Sequence, residues 1–279
     1  MKLKDKLMLL SLKALPKNEL SWFFGKIANI KVPSFVIKQF AKQFDINIDE
    51  AEKNITEYKT LNEFFTRKLK NGARIVDNSE NIITSPSDGV ISQFGEIEDT
   101  KLLQIKGKFY NLEKLLKDNN AEKFKNGSFI TIYLSPQNYH RVHFCCDGNI
   151  EATNYIKGKL FPVNKLSVAN IDELFCINER VITYINNKKA GKIANIMVGA
   201  TNVGSITLYY DDLKTNQAFQ KGKHISYDID EKNIKKGDML GCFNFGSTVV
   251  MLFEKDKIEF TDIKHNQVVK MGEKIAKIK

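Results

Sequence analysis

From Ile82 onward the chain is written in short β-prone segments, and this texture limits the possible folds more than any other feature. Val90–Phe94, Phe129–Leu134, Ile150–Tyr155, Val181–Ile185, Ile193–Val198, Ser205–Tyr210 and Thr248–Phe253 are rich in β-branched and aromatic residues and are separated by Gly, Asn and Asp. Runs of that length and composition, bounded by turn residues, read as strands. Lys235-Lys236-Gly237-Asp238 and Lys270-Met271-Gly272-Glu273 read as tight turns between them. Leu112–Asp118 and Ile171–Phe175 are expected to be brief helices. Thr60-x-x-Glu63 fits a capping box opening a short helix that ends near Gly72.

The first 45 residues have another pattern. Lys2, Lys6, Lys13 and Lys17 recur at spacings of four and seven, hence on one helical face, with Leu3, Leu7, Met8, Leu10, Leu12 and Leu15 around the rest. Pro16 breaks the pattern. A second helix is expected to hold Trp22, Phe23, Phe24 and Ile27 before Pro33. A third carries Val36, Ile37, Phe40, Ala41 and Phe44 opposite Lys38 and Lys42. Such helices either pack their apolar face on the core or lie in a lipid interface with lysines toward anionic headgroups. The aromatics at Trp22-Phe23-Phe24 favour the interface. The fold class expected is α+β: N-terminal amphipathic helices over residues 1–45, then a mainly antiparallel β core over residues 46–279.

Charge narrows the partners. A net charge of +10 attracts anions. Zinc-finger spacing, RNP-like motifs and arginine-rich arms are missing from the sequence, which disfavours nucleic acid and leaves an anionic membrane surface. No stretch approaches the roughly 18 uninterrupted apolar residues of a membrane span. The run Leu7–Leu12 stops at Lys13 and lacks a small-residue cleavage site, so a reducing cytoplasmic location is expected. Cys145, Cys146, Cys176 and Cys242 form no C-x-x-C pair and read as small buried residues; adjacent cysteines rarely supply two tetrahedral ligands, so no metal is expected.

Chemistry points to one junction. Phe245-Gly246-Ser247-Thr248 precedes the apolar run Val249-Val250-Met251-Leu252-Phe253, and upstream stand Asp88-Gly89 and Tyr139-His140-Arg141-Val142-His143. A serine hydroxyl attacks a carbonyl when a base takes its proton and the approach is uncrowded. Gly246 has no side chain and tolerates strained backbone, so its carbonyl is open to the next residue's Oγ. An Asp, a His and a Ser form a set able to drive that attack. Gly127-Ser128 and Gly204-Ser205 carry the same dipeptide, which usually marks a turn or bulge.

The neighbouring motifs decide between these readings. The chain resembles the bacterial phosphatidylserine decarboxylase family through Thr60-Leu61-Asn62-Glu63-Phe64-Phe65-Thr66-Arg67, Ser85-Pro86-Ser87-Asp88-Gly89-Val90-Ile91-Ser92-Gln93, Tyr133-Leu134-Ser135-Pro136 running to Tyr139-His140-Arg141-Val142-His143, Leu160-Phe161-Pro162-Val163-Asn164, Asn178-Glu179-Arg180 and the Gly246-Ser247 junction. Three positions depart from the family pattern: Phe245 for Leu, Cys145 for Pro and Ser87 for Ala. None removes a reacting group.

The resemblance implies self-cleavage between Gly246 and Ser247 into chains 1–246 and 247–279, with Ser247 converted to a covalent pyruvoyl group. Asp88 would hold the His143 ring, and His143 would activate Ser247. His140 would lie nearer the substrate, handling protons. Phosphatidylserine would condense with the pyruvoyl as a Schiff base, lose carbon dioxide and leave as phosphatidylethanolamine, with no metal or diffusible cofactor. The resemblance also implies a peripheral enzyme on the cytoplasmic side of the cell membrane and a dimer of processed units. Arg141 either pairs with the substrate phosphate or holds a loop; His224 and His265 match no motif and read as surface residues.

Three alternatives remain. A serine hydrolase that does not cleave itself would use the same three residues, but G-x-S-x-G is absent around Ser247. A basic lipid-binding protein would have no chemistry at all. A pyruvoyl decarboxylase of a soluble amino acid would have no use for the N-terminal helices.

Overall fold

The computed structural model of the chain describes residues 17–105, 107–201, 205–217, 220–228, 231–244 and 247–279. The helix expected before Pro16 and the residues Phe245 and Gly246 therefore lie outside the described residues.

The helices are short: α1 Lys17–Ala28, α2 Ser34–Gln43, α3 Leu61–Phe65, α4 Leu112–Leu116, α5 Ala121–Phe124, α6 Lys165–Asn170 and α7 Leu174–Ile177. The strands begin with β1 Ile82–Thr84, β2 Gly89–Glu96, β3 Lys101–Ile105, β4 Lys108–Asn111, β5 Ser128–Leu134 and β6 Arg141–His143. There follow β7 Gly148–Ile156, β8 Arg180–Asn187, β9 Gly191–Gly199, β10 Ile206–Leu208, β11 Lys223–Ser226 and β12 Asn233–Ile234. The chain ends with β13 Met239–Phe243, β14 Ser247–Phe253, β15 Ile258–Phe260, β16 Val268–Val269 and β17 Lys274–Ile278.

Nine of these strands make one antiparallel sheet in the order β11-β7-β8-β9-β14-β5-β2-β16, with β12 also on β7. Two three-stranded sheets, β1-β17-β15 and β10-β13-β6, and the β3-β4 hairpin complete the fold. β14 lies between β9 and β5 and is paired on both sides from Ser247 to Phe253. Its side chains alternate between two cores. Val249, Met251 and Phe253 enter one with β5 and β13 residues, whereas Val250 and Leu252 enter the other beneath α4 and α7. Burial on both faces explains an unbroken apolar run, and each such side chain contributes about 1.5–3 kcal/mol.

The α+β expectation holds in its coarser part: the structure is mainly antiparallel sheet with few helices. Of the N-terminal region, α2 buries Ile37 and Ala41 against Ile46, Tyr58 and Phe64. Thr60 caps α3, its Oγ1 accepting from the Glu63 N–H at 3.0 Å. Two details differ from the expected capping box. Glu63 accepts from the Lys59 N–H and Lys53 Nζ instead of closing back on Thr60, and the helix stops at Phe65. Similarly, the helix expected at Ile171–Phe175 falls at Leu174–Ile177, because Ile171 is already the extended C-cap of α6.

Gly89 is required by packing. A Cβ there would stand 2.6 Å from the Tyr133 carbonyl oxygen and from Ile132 Cγ2 on β5. Gly237 and Gly272, at φ 87° and 90°, make the two predicted Lys-x-Gly turns.

Candidate active site

Backbone pairing gathers the distant motifs around the first residue of β14. Ser247 is paired with Leu134 at the end of β5 and with Gly199 at the end of β9. Leu134 leads directly into the loop carrying Tyr139 and His140. Gly199 is tied to the other two motifs: Asn178 Nδ2 donates to the Gly199 and Phe161 carbonyls at 2.8 Å each, and Asn178 Oδ1 accepts from the Phe161 N–H. The Gly199 N–H donates to the Glu179 carbonyl at 2.8 Å. A fully buried amide thus staples residues 160–164 and 178–180 to the strand beside Ser247.

The strand preceding the junction is paired with the histidine strand. Cys242 lies opposite Arg141, Met239 opposite His143, and the Phe243 N–H donates to the His140 carbonyl at 3.0 Å. His140 therefore stands at the Ser247 end of this ladder and His143 at the far end. The Asp88 segment joins on the other side, where the Pro86 carbonyl accepts from the His143 N–H at 2.8 Å.

The two imidazoles are both buried and both neutral in character. His140 is fully enclosed, stacked on Phe65 at 3.9 Å between centroids. Burial, aided by the Arg67 charge, lowers its pKa to about 3. Its Nε2 donates to the Ser135 carbonyl at 3.1 Å, so Nδ1 carries the lone pair, and Nδ1 is buried without a partner. His143 is pushed below its ordinary pKa by burial. Its Nδ1 donates to the Gly237 carbonyl at 2.7 Å, and its Nε2 accepts from the Tyr139 hydroxyl at 3.0 Å.

This geometry differs from the expected Asp88–His143 hydrogen bond. A backbone carbonyl orients His143, while Asp88 is engaged elsewhere. Arg74 Nε donates to Asp88 Oδ1 at 2.7 Å, Arg74 Nη2 to Asp88 Oδ2, and the Met271 N–H to Asp88 Oδ1 at 2.9 Å. Arg74 also reaches Glu50 at 2.9 Å. Burial disfavours the Arg74 charge, but the two carboxylates outweigh it and raise its pKa above the ordinary value. Asp88 remains in the neighbourhood of His143, its negative charge opposing part of the burial effect on that ring.

Arg74 and Tyr139 are thus the side-chain partners of Asp88 and His143, which motif reading did not single out. Tyr139 stood inside a quoted motif, whereas Arg74 carried no signal beyond an arginine 14 residues before the aspartate. His224 and His265 are exposed, and the four cysteines are buried thiols.

A serine opening a central strand, two buried imidazoles and an arginine-clamped aspartate make up the candidate site on this sheet. The chain belongs to the phosphatidylserine decarboxylase family, whose sequence profile matches residues 61–277. The phosphatidylserine decarboxylase proenzyme of Vibrio parahaemolyticus is 42% identical over 268 residues, covering 92% of this chain and 94% of that protein. That of Myxococcus xanthus is 40% identical over 282 residues, covering 99% and 100%. That of Brevibacillus brevis is 38% identical over 265 residues, covering 94% of each.

Proposed function

We propose that this chain is a proenzyme that cleaves itself between Gly246 and Ser247 and then decarboxylates phosphatidylserine to phosphatidylethanolamine. The observation that carries the reading is that Ser247 pairs with Leu134, which leads into the histidine motif, and with Gly199, to which the 160–164 and 178–180 motifs are stapled. His143, neutral and with its Nε2 lone pair on the Tyr139 hydroxyl, accepts through Tyr139 the proton that leaves the Ser247 hydroxyl. Asp88, held by Arg74 and the Met271 N–H, supplies fixed negative charge that stabilises a protonated His143.

A pyruvoyl group at position 247 fits these surroundings. A partnerless imidazole nitrogen, His140 Nδ1, is buried on the residue whose carbonyl accepts from Phe243, four residues before Ser247. When formed, the group supplies an electrophilic carbonyl that takes the substrate amine and withdraws electrons from the bond to the carboxylate. His140 moves the proton. Its lone pair at Nδ1 must first collect one, and low polarity around the ring makes the resulting cation a strong acid toward the former α-carbon.

Cleavage would leave residues 247–279 fastened at three places: β14 between β9 and β5, β16 on β2, and β17 on β1. The two chains stay together on that account. The exposed Phe23, Ile27, Ile30 and Phe35, set among lysines in a chain of net charge +10, favour peripheral docking on an anionic surface of the cell membrane. No helix among the described residues is long and apolar enough to cross a membrane.

The test is to incubate the purified protein with phosphatidylserine in mixed micelles, and separately with free serine, while measuring carbon dioxide and phosphatidylethanolamine. Lipid turnover with little or none on serine is expected. Turnover of free serine alone, or ester hydrolysis by an uncleaved chain, would overturn the reading.

A further inference from the structure

Against Arg141, the residue after His140, the structure holds a cleft of about 220 Å³, lined also by Tyr58, Thr66 and Arg67. This is smaller than the ~300–1,000 Å³ of sites for drug-sized ligands and suits a headgroup fragment. Its most unusual member is Arg67, only 4% exposed. One of its nitrogens, Nη2, donates to the Gln137 and Asn138 carbonyls at 3.2 and 3.4 Å. Nε and Nη1 are buried with no partner, and so is the Tyr58 hydroxyl across the cleft.

Arg67 forms no ion pair with any described carboxylate. Lys53 and Glu63, also on the wall, neutralise each other at 2.8 Å. That leaves Arg67, Arg141 and Lys68 against Glu52. A buried guanidinium with two idle donors is strongly disfavoured unless an anion completes it. Its plane is already set, with Phe64 5.4 Å beneath it, and Arg141 is anchored by its Nε on the Thr66 carbonyl at 2.9 Å.

We propose that this cleft is the seat of a phosphodiester anion, the phosphate of the lipid headgroup, held by Arg67 Nε and Nη1, the Tyr58 hydroxyl and the Arg141 charge. The proposal rests on the decarboxylase reading above. Both phosphate and carboxylate match an arginine fork. Holding the substrate carboxylate there would stabilise the charge that decarboxylation must remove, which slows the reaction. The phosphate keeps its charge throughout. In a serine headgroup only the ester oxygen and the β-carbon separate it from the α-carbon, so a phosphate in this cleft keeps the reacting carbon near His140, the residue preceding Arg141.

Interactions equal in ground and transition states affect KM and leave kcat alone. Arg67→Gln in the self-cleaved enzyme, assayed on short-chain phosphatidylserine, should raise KM about 10- to 100-fold with kcat nearly unchanged. Tyr58→Phe, which removes one hydroxyl, should raise KM about 2- to 10-fold. Normal self-cleavage on a denaturing gel reports an intact core. Calorimetric titration of glycerophosphoserine gives a readout independent of turnover: the wild type should bind it, and each variant should bind it more weakly by a factor similar to its change in KM. Inorganic phosphate should inhibit competitively.

An unchanged KM and undiminished glycerophosphoserine binding in Tyr58→Phe would overturn the assignment, even if Arg67→Gln failed to fold. So would inhibition by inorganic phosphate that is not competitive with lipid, which would make the cleft a site for free phosphate. Absence of turnover in a wild type that still binds glycerophosphoserine through Arg67 would retain the cleft and remove the decarboxylase reading.

Discussion

Replacing Arg74 with methionine removes the cation that holds Asp88. Both side chains are 7% exposed, and the guanidinium makes two hydrogen bonds to Asp88 and one to Glu50. Losing one partner of a buried pair leaves an uncompensated charge, a cost of about 3–5 kcal/mol. Glu50, 26% exposed, is solvated enough to add little. Methionine nearly fills the volume, so a cavity contributes little, and the Met271 N–H keeps one bond to Asp88. The stability change is best measured by guanidinium denaturation in a Ser247→Ala background, where cleavage cannot complicate the baseline. The same substitution with Ser247 intact should slow self-cleavage, because Asp88 loses its fixed position near His143. A loss below about 1 kcal/mol would refute the buried-pair estimate. Full destabilisation with an unchanged cleavage rate would refute the role given to Asp88.

His143→Ala should yield a single unprocessed band near 31.9 kDa, and fragments of normal size would remove that ring from processing. His140 makes stability pH-dependent. Its folded pKa of about 3 lies below the ordinary 6.5, so between those values the unfolded chain binds a proton that the folded one refuses, and stability falls as pH falls. At pH 5 the penalty is about 2 kcal/mol, which His140→Gln should abolish; urea melts at pH 6.5 and 5.0 that give the same wild-type-to-variant difference at both would contradict the burial argument. Gly89→Ala forces a Cβ to within 2.6 Å of the Tyr133 carbonyl and should cost about 1–3 kcal/mol in a thermal melt, whereas a neutral result would mean β2 and β5 can separate freely.

The β segments were legible because β-branching and turn residues agree along them, and β14 stood out as an apolar run, whose burial on both faces the structure supplies. Their order in the sheet was not, since β14 joins β9 and β5 through contacts that no local pattern records. Helix ends were read poorly where a cap intervened, as at Thr66 and Ile171. Of the candidate site, His140, His143, Asp88 and Ser247 were named from motifs, but their partners were hidden. The acceptor for His143 is the carbonyl of Gly237, a backbone atom 94 residues away that any residue type could supply. Arg74 and Arg67 were invisible for a related reason. An arginine's meaning depends on whether a carboxylate meets it, and only the folded chain reveals that one is met and the other is not.

Intact mass spectrometry of the purified, active protein bears most directly on the claim beneath all of this. Two polypeptides are predicted, residues 1–246 and 247–279, the smaller lighter than a serine-ended chain by the elements of ammonia. One continuous chain of 31.9 kDa with an unaltered Ser247, in a preparation that still decarboxylates the lipid, would contradict the account.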